Sequence, residues 1–199
     1  MLVFAAAVFF LIVTPGPGVL STAGVGSAYG YKPGMRYVFG LFLGNNLVAI
    51  AVVSGLAALV LGVPYVRPIL SVASVMYLTY LALKIGFSGS KIAFVAATKP
   101  PGITGGLALQ AINPKAYAVN TVFFTNFEIF PENLPVELAI KFAILNAIWV
   151  PIHLIWLALG VSLRWLDLSQ STQRGINITM AVSMMLVVAL AAYSARETL

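Results

Sequence analysis

The chain has 199 residues, of which 61% are apolar and only 8% charged, and its mean hydropathy of +1.01 excludes an ordinary soluble domain. Its net charge of +6 is dispersed over short segments with no polar face to carry it, which argues against a nucleic-acid surface. There is no cysteine, so disulfides, thiol relays and thiolate-bound metals are excluded too.

A helix needs about 20 apolar residues to cross about 30 Å of hydrocarbon. Six stretches meet that length, at 2–29, 37–61, 68–87, 103–127, 136–163 and 173–193. Lys32-Pro33-Gly34, Val63-Pro64, Lys99-Pro100-Pro101-Gly102 and the prolines at 131 and 135 punctuate them. The expected fold is therefore all-α, a polytopic membrane protein of six spans forming one transmembrane domain over 1–199. No stretch is hydrophilic enough for a separate soluble module. The ten-residue alternation of a membrane barrel is missing.

The first stretch has no lysine or arginine ahead of it and no small-residue cleavage site after it, so it reads as a retained span. Midway along it stands Thr14-Pro15-Gly16-Pro17-Gly18. A proline has no amide proton and its ring collides with the preceding turn, so the span must break or kink there. Thr14 is a suitable N-cap for the helix that resumes, and the two glycines permit close approach. The second span carries Gly40 and Gly44, which allow tight helix packing, followed by Asn45 and Asn46. Tyr77, Tyr80 and Lys84 share one side of the third.

The fourth span is interrupted at its middle by Asn113-Pro114-Lys115. Asparagine before proline is again an N-cap followed by a residue favoured at the first helical position. Lys115 then lies near the bilayer centre, where a charge is costly and marks function. In the fifth span, Asn146, Trp149, His153, Trp156 and Gly160 recur at spacings of three and four and share one face, with Pro151 adding a kink. His153, the sole histidine, is the candidate proton carrier. No aspartate or glutamate stands at any span centre, so a carboxylate proton relay is not available.

Lysine and arginine are commoner beside the first, third and fifth connections (Lys32, Arg36, Lys84, Lys91, Lys99, Arg164, Arg174) than on the opposite side (Arg67, Lys141, Arg196). Positive-inside reasoning places the loop 87–102 in the cytoplasm and both termini outside the cell membrane. Three spans per half then make the halves, about 1–87 and 103–199, inverted relative to each other, with breaks at matching positions. Two new helix starts, each worth about half a positive charge, would face one another across the midplane and suit an anionic group such as a carboxylate. The candidate binding residues are accordingly Thr14, Pro15, Gly16, Pro17 and Gly18, Asn45 and Asn46, Asn113, Pro114 and Lys115, with Asn146 and Trp149.

Thr14-Pro15-Gly16-Pro17-Gly18, then 27–34 (SAYGYKPG), Gly40 with Leu43-Gly44-Asn45, 77–84 (YLTYLALK) and Asn113-Pro114-Lys115-Ala116 resemble, in order and spacing, the lysine exporter (LysE/RhtB) superfamily over the whole chain. The resemblance implies export of amino acids or related small solutes, commonly driven by the proton gradient. Gly18 stands where that family often has asparagine or aspartate, Asn45 where an acidic residue or histidine is frequent, and Ala82 where glycine is usual.

The expected function is thus a secondary transporter exporting a carboxylate-bearing solute by alternating access, and not an enzyme. The alternatives are export of another small solute or a metal cation, or an aquaporin-like channel, which a central ammonium would obstruct. No His-Glu-x-x-His element, aspartate pair or cysteine pair supports an intramembrane enzyme. No cofactor and no metal are expected. The partners are a small-molecule substrate and the lipid bilayer, with homo-oligomerisation left open and nucleic acid not expected.

Overall fold

The computed structural model describes residues 1–14, 16–55 and 99–165, with scattered positions between 63 and 83 and between 171 and 182. Most of the expected third and sixth spans, together with Pro15, Ala82 and Lys84, lie outside the described residues. Among the described residues all regular structure is helical: α1 (Leu2–Val13), α2 (Pro17–Tyr29), α3 (Tyr31–Val53), α4 (Ile103–Ile112), α5 (Pro114–Thr125) and α6 (Leu134–Trp165).

Two helices are individually long and apolar enough to cross a bilayer, over Tyr31–Val53 and Leu134–Ser162, and α1 with α2, bent by 52° at the break, has the length and composition for a third if the pair is one span. The expected fourth span is likewise divided, between α4 and α5 at Asn113. Lys32-Pro33-Gly34, expected as a connection, lies instead in the first turn of α3. The reason is local: amides of a first turn have no acceptor within the helix, so Pro33 sacrifices nothing there. The reversal between α2 and α3 falls on the single residue Gly30, whose φ of 83° disfavours any residue with a Cβ.

Packing interleaves the two halves of the sequence, because α2 lies along α6 and α4 along α3. Backbones meet at glycine: a Cβ on Gly40 would collide with the Ile103 carbonyl, one on Gly106 with the Tyr37 carbonyl, and one on Gly160 with the Ala23 carbonyl. Lipid offers no hydrophobic drive for helices to associate, so close van der Waals approach of this kind must supply much of the cohesion. The Tyr37 hydroxyl ties α3 to α2 by donating to Ser21 Oγ at 3.0 Å.

At the end of α5 farthest from Asn113, Phe4 meets Phe123 and Phe127 edge-on, with ring centres 5.9 and 5.4 Å apart. Beside them the buried Lys141 pairs with Glu137 at 2.6 Å and donates to the carbonyls of Phe124 and Phe127. Glu137 also accepts from the Phe130 amide at 3.3 Å. The Lys141 ammonium therefore satisfies carbonyls left over where α5 stops, and holds the following turn against α6. Large apolar side chains such as Leu2, Phe10, Phe39, Leu47, Ile50 and Ile155 stay exposed on the outside, as a lipid-facing surface requires.

Candidate functional site

The two breaks come together. In the first, α1 ends at Val13 and α2 resumes at Pro17, with Gly16 as its N-cap in extended conformation. Thr14 was expected to cap the resumed helix, and does not. Its hydroxyl donates back to the Phe10 carbonyl, and α2 has no side-chain cap. Two prolines in register explain this: Pro17, at the first helical position, sets the start of α2 three residues past Thr14, beyond the reach of its side chain.

In the second break Asn113 caps as expected, its Oδ1 accepting from the Lys115 amide at 3.1 Å. Its Nδ2 donates to Gln110 Oε1 at 3.1 Å, which spans the gap from α4 to α5. Lys115 turns toward the other break and its Nζ donates to the Thr14 carbonyl at 2.7 Å. In an uninterrupted helix that carbonyl would accept from the amide of residue 18; the break frees it, and the lysine takes the place of that amide. Gly16 makes room for the contact, since a Cβ there would lie 2.9 Å from Lys115 Cδ and 3.0 Å from Nζ.

The shared face of α6 looks inward, with Asn146 and Trp156 half-buried. Trp149, His153 and Gly160 are buried, and the Trp149 and His153 rings stack with centres 3.5 Å apart. His153 Nδ1 lies 2.9 Å from the Trp149 carbonyl. A carbonyl only accepts, so Nδ1 carries a proton, and in the neutral tautomer this fixes, Nε2 keeps its lone pair. That Nε2 faces Gly18, lying 3.3 Å from where a Cβ would stand on that residue.

Between these elements is a cavity of about 50 Å³. Thr14, Gly16 and Gly18 line it from the first break, Asn113 and Lys115 from the second, Asn45 from α3, and Trp149 and His153 from α6. Leu11, Ile12, Val19, Val119, Phe123 and Leu145 supply apolar walls. Its one formal charge is the Lys115 ammonium, and no aspartate or glutamate is among the described lining residues; the starts of α2 and α5 present amides and the ends of α1 and α4 present carbonyls. Such a site can hold an anionic group with a short apolar body. Among the described residues no cluster of histidine, aspartate or glutamate could hold a metal ion.

Five candidate residues stand apart from the cavity lining or from the described residues. Asn46 and Asn146 bind each other reciprocally, at 3.0 and 2.9 Å, as a bridge between α3 and α6. Pro17 is buried and Pro114 exposed, each setting a helix start, and Pro15 lies outside the described residues. Conversely, Gln110 and Asn120 line the cavity and were not singled out. Asn120 shares a face of α5 with Asn113 and Ala116, at offsets of seven and four, a spacing visible in sequence once Asn113 is taken as the helix start.

The family described as LysE type translocator matches residues 9–195 of this chain. A leucine efflux protein of Enterobacter sp. (strain 638) is 28% identical over 124 residues, covering 60% of this chain and 59% of its own. One from Klebsiella pneumoniae is 25% identical over 130 residues, covering 59% and 58%. One from Salmonella typhimurium is 28% identical over 123 residues, with the same 59% and 58% coverage. The match thus spans somewhat under three fifths of the length of these curated relatives. No solved structure matches the chain significantly.

Proposed function

Because this chain belongs to the LysE type translocator family, we propose that it exports amino acids, or related small carboxylate-bearing solutes, from a site between its two helix breaks. The observation that carries the reading is the Lys115 ammonium held on the Thr14 carbonyl, which joins the breaks across the cavity. A substrate carboxylate offers that ammonium a charged acceptor in place of a neutral one, and charge-assisted hydrogen bonds are roughly twice as strong. The amides at the start of α2, which have no acceptor within the helix, add further donors.

The relatives are named for leucine efflux, and the apolar walls of the cavity suit a side chain of that class. About 50 Å³ holds a few waters rather than an amino acid, so binding requires the walls to part. Alternating access meets that requirement: groups of helices drawn from both inverted halves rock about the cavity, opening it to the cytoplasm for loading and to the outside for release. Pairing of Asn46 with Asn146 supports the inverted arrangement, since positions 100 residues apart that meet reciprocally behave as equivalents on a two-fold axis. His153, with Nε2 toward the first break, is the group that takes up the coupling proton.

Purified protein in liposomes loaded with unlabelled leucine should accumulate external labelled leucine by counterflow, and an imposed pH gradient should drive net flux. Absence of counterflow across a broad amino-acid panel would contradict the reading.

A further inference from the structure

Asn45 and Asn120 face each other across the cavity wall, 5% and 2% exposed. Asn120 Nδ2 donates both to Asn45 Oδ1, at 3.2 Å, and to the Ala116 carbonyl, at 2.8 Å. These two acceptors fix the orientation of the Asn120 amide, because turning it over would set its oxygen against both of them. One donor, Asn45 Nδ2, and one acceptor, Asn120 Oδ1, are then left buried without a partner. Neutral interhelical glue has no reason to leave such a pair, because unpaired buried polar atoms are expensive and a rotated or apolar substitute would avoid them.

We propose that this pair reads the α-amino acid backbone: Asn120 Oδ1 accepts from the substrate's ammonium and Asn45 Nδ2 donates to its carboxylate. The assignment rests on the amino-acid reading above and adds what that reading lacks. Lys115 and the helix starts only donate, so they recognise any carboxylic acid and cannot distinguish an amino acid from one. An ammonium needs an acceptor, and among the described lining residues Asn120 Oδ1 is a buried side-chain oxygen without a partner, distinct from His153 Nε2, which faces the first break. An α-amino acid carries donor and acceptor on one carbon, matching a donor and an acceptor on adjacent amides.

The test compares L-leucine with 4-methylpentanoate, the same molecule without its amino group, by calorimetric titration of the purified full chain. Wild type should bind leucine about ten-fold or more tightly, the usual worth of a charge-assisted hydrogen bond. Asn120→Leu should abolish that preference by weakening leucine far more than 4-methylpentanoate, whose retained binding shows that the variant is folded. Asn120→Ala, which removes the same oxygen without pressing a new group on Asn45 or the Ala116 carbonyl, should lose the preference too and covers the case in which Asn120→Leu does not fold. Equal wild-type affinities, or a preference surviving in either folded variant, would overturn the proposal while leaving carboxylate binding intact. Failure of wild type to bind either compound would instead overturn the amino-acid reading itself.

Discussion

Lys115 illustrates how far a single residue could be read from sequence. Its depth in a broken span marked it as functional, and the structure turns its ammonium to the Thr14 carbonyl, 101 positions away. The partner was not legible, because it is a backbone atom released by the other break and carries no residue-type signal. Lys115→Met keeps the length of the side chain and removes a costly half-buried charge; it should fold, and should lose about ten-fold or more in leucine affinity by titration. Unchanged affinity would remove the lysine from the site. Asn113→Ala deletes a cap seen directly and should destabilise the protein by about 1 kcal/mol, measured as a lowered midpoint in detergent unfolding. His153→Gln keeps a polar group on the α6 face without a titrating one, so leucine counterflow should persist while stimulation by a pH gradient disappears. Gradient stimulation equal to wild type would place the coupling proton elsewhere.

Among the elements, the breaks were the most legible feature and their details the least. Proline inside an apolar run removes a helix hydrogen bond without always ending the helix, since Pro151 stays within α6; α2 and α5 restart where a capping residue, Gly16 or Asn113, precedes the proline. Where a helix resumes depends on which proline takes the first helical position, and with Pro15 and Pro17 in competition the cap passed from Thr14 to Gly16. Asn120 escaped notice for a related reason: a polar residue in mid-helix has several bland explanations, and only its contact with Asn45 sets it apart. The glycines that join α3 to α4 make a sharper prediction. Gly40→Ala puts a methyl group against the Ile103 carbonyl, in a contact between backbones that cannot yield as a side chain can. Overpacking of that sort costs about 1–3 kcal/mol, and the variant should show a correspondingly lower unfolding midpoint; wild-type stability would mean that the α3–α4 approach is looser than described.

For the whole molecule, the two halves are interleaved rather than juxtaposed, with α2 on α6 and α4 on α3. A rocking motion must therefore carry helices from both halves together, and the bend of 52° between α1 and α2 is a place where such motion can be absorbed. The sequence foretold the matching breaks, yet which helix packs on which is decided by glycine contacts between distant segments, and these have no local signature. The central claim is that substrate sits between the breaks, and the chain's lack of cysteine makes a direct measurement practicable. In a Thr14→Cys variant the only thiol lies at the mouth of the first break, and its rate of modification by a small methanethiosulfonate reagent can be followed with and without leucine. Leucine at saturating concentration should slow modification several-fold. An identical rate in its presence, in a variant that still transports, would contradict the placement of the substrate between the two breaks.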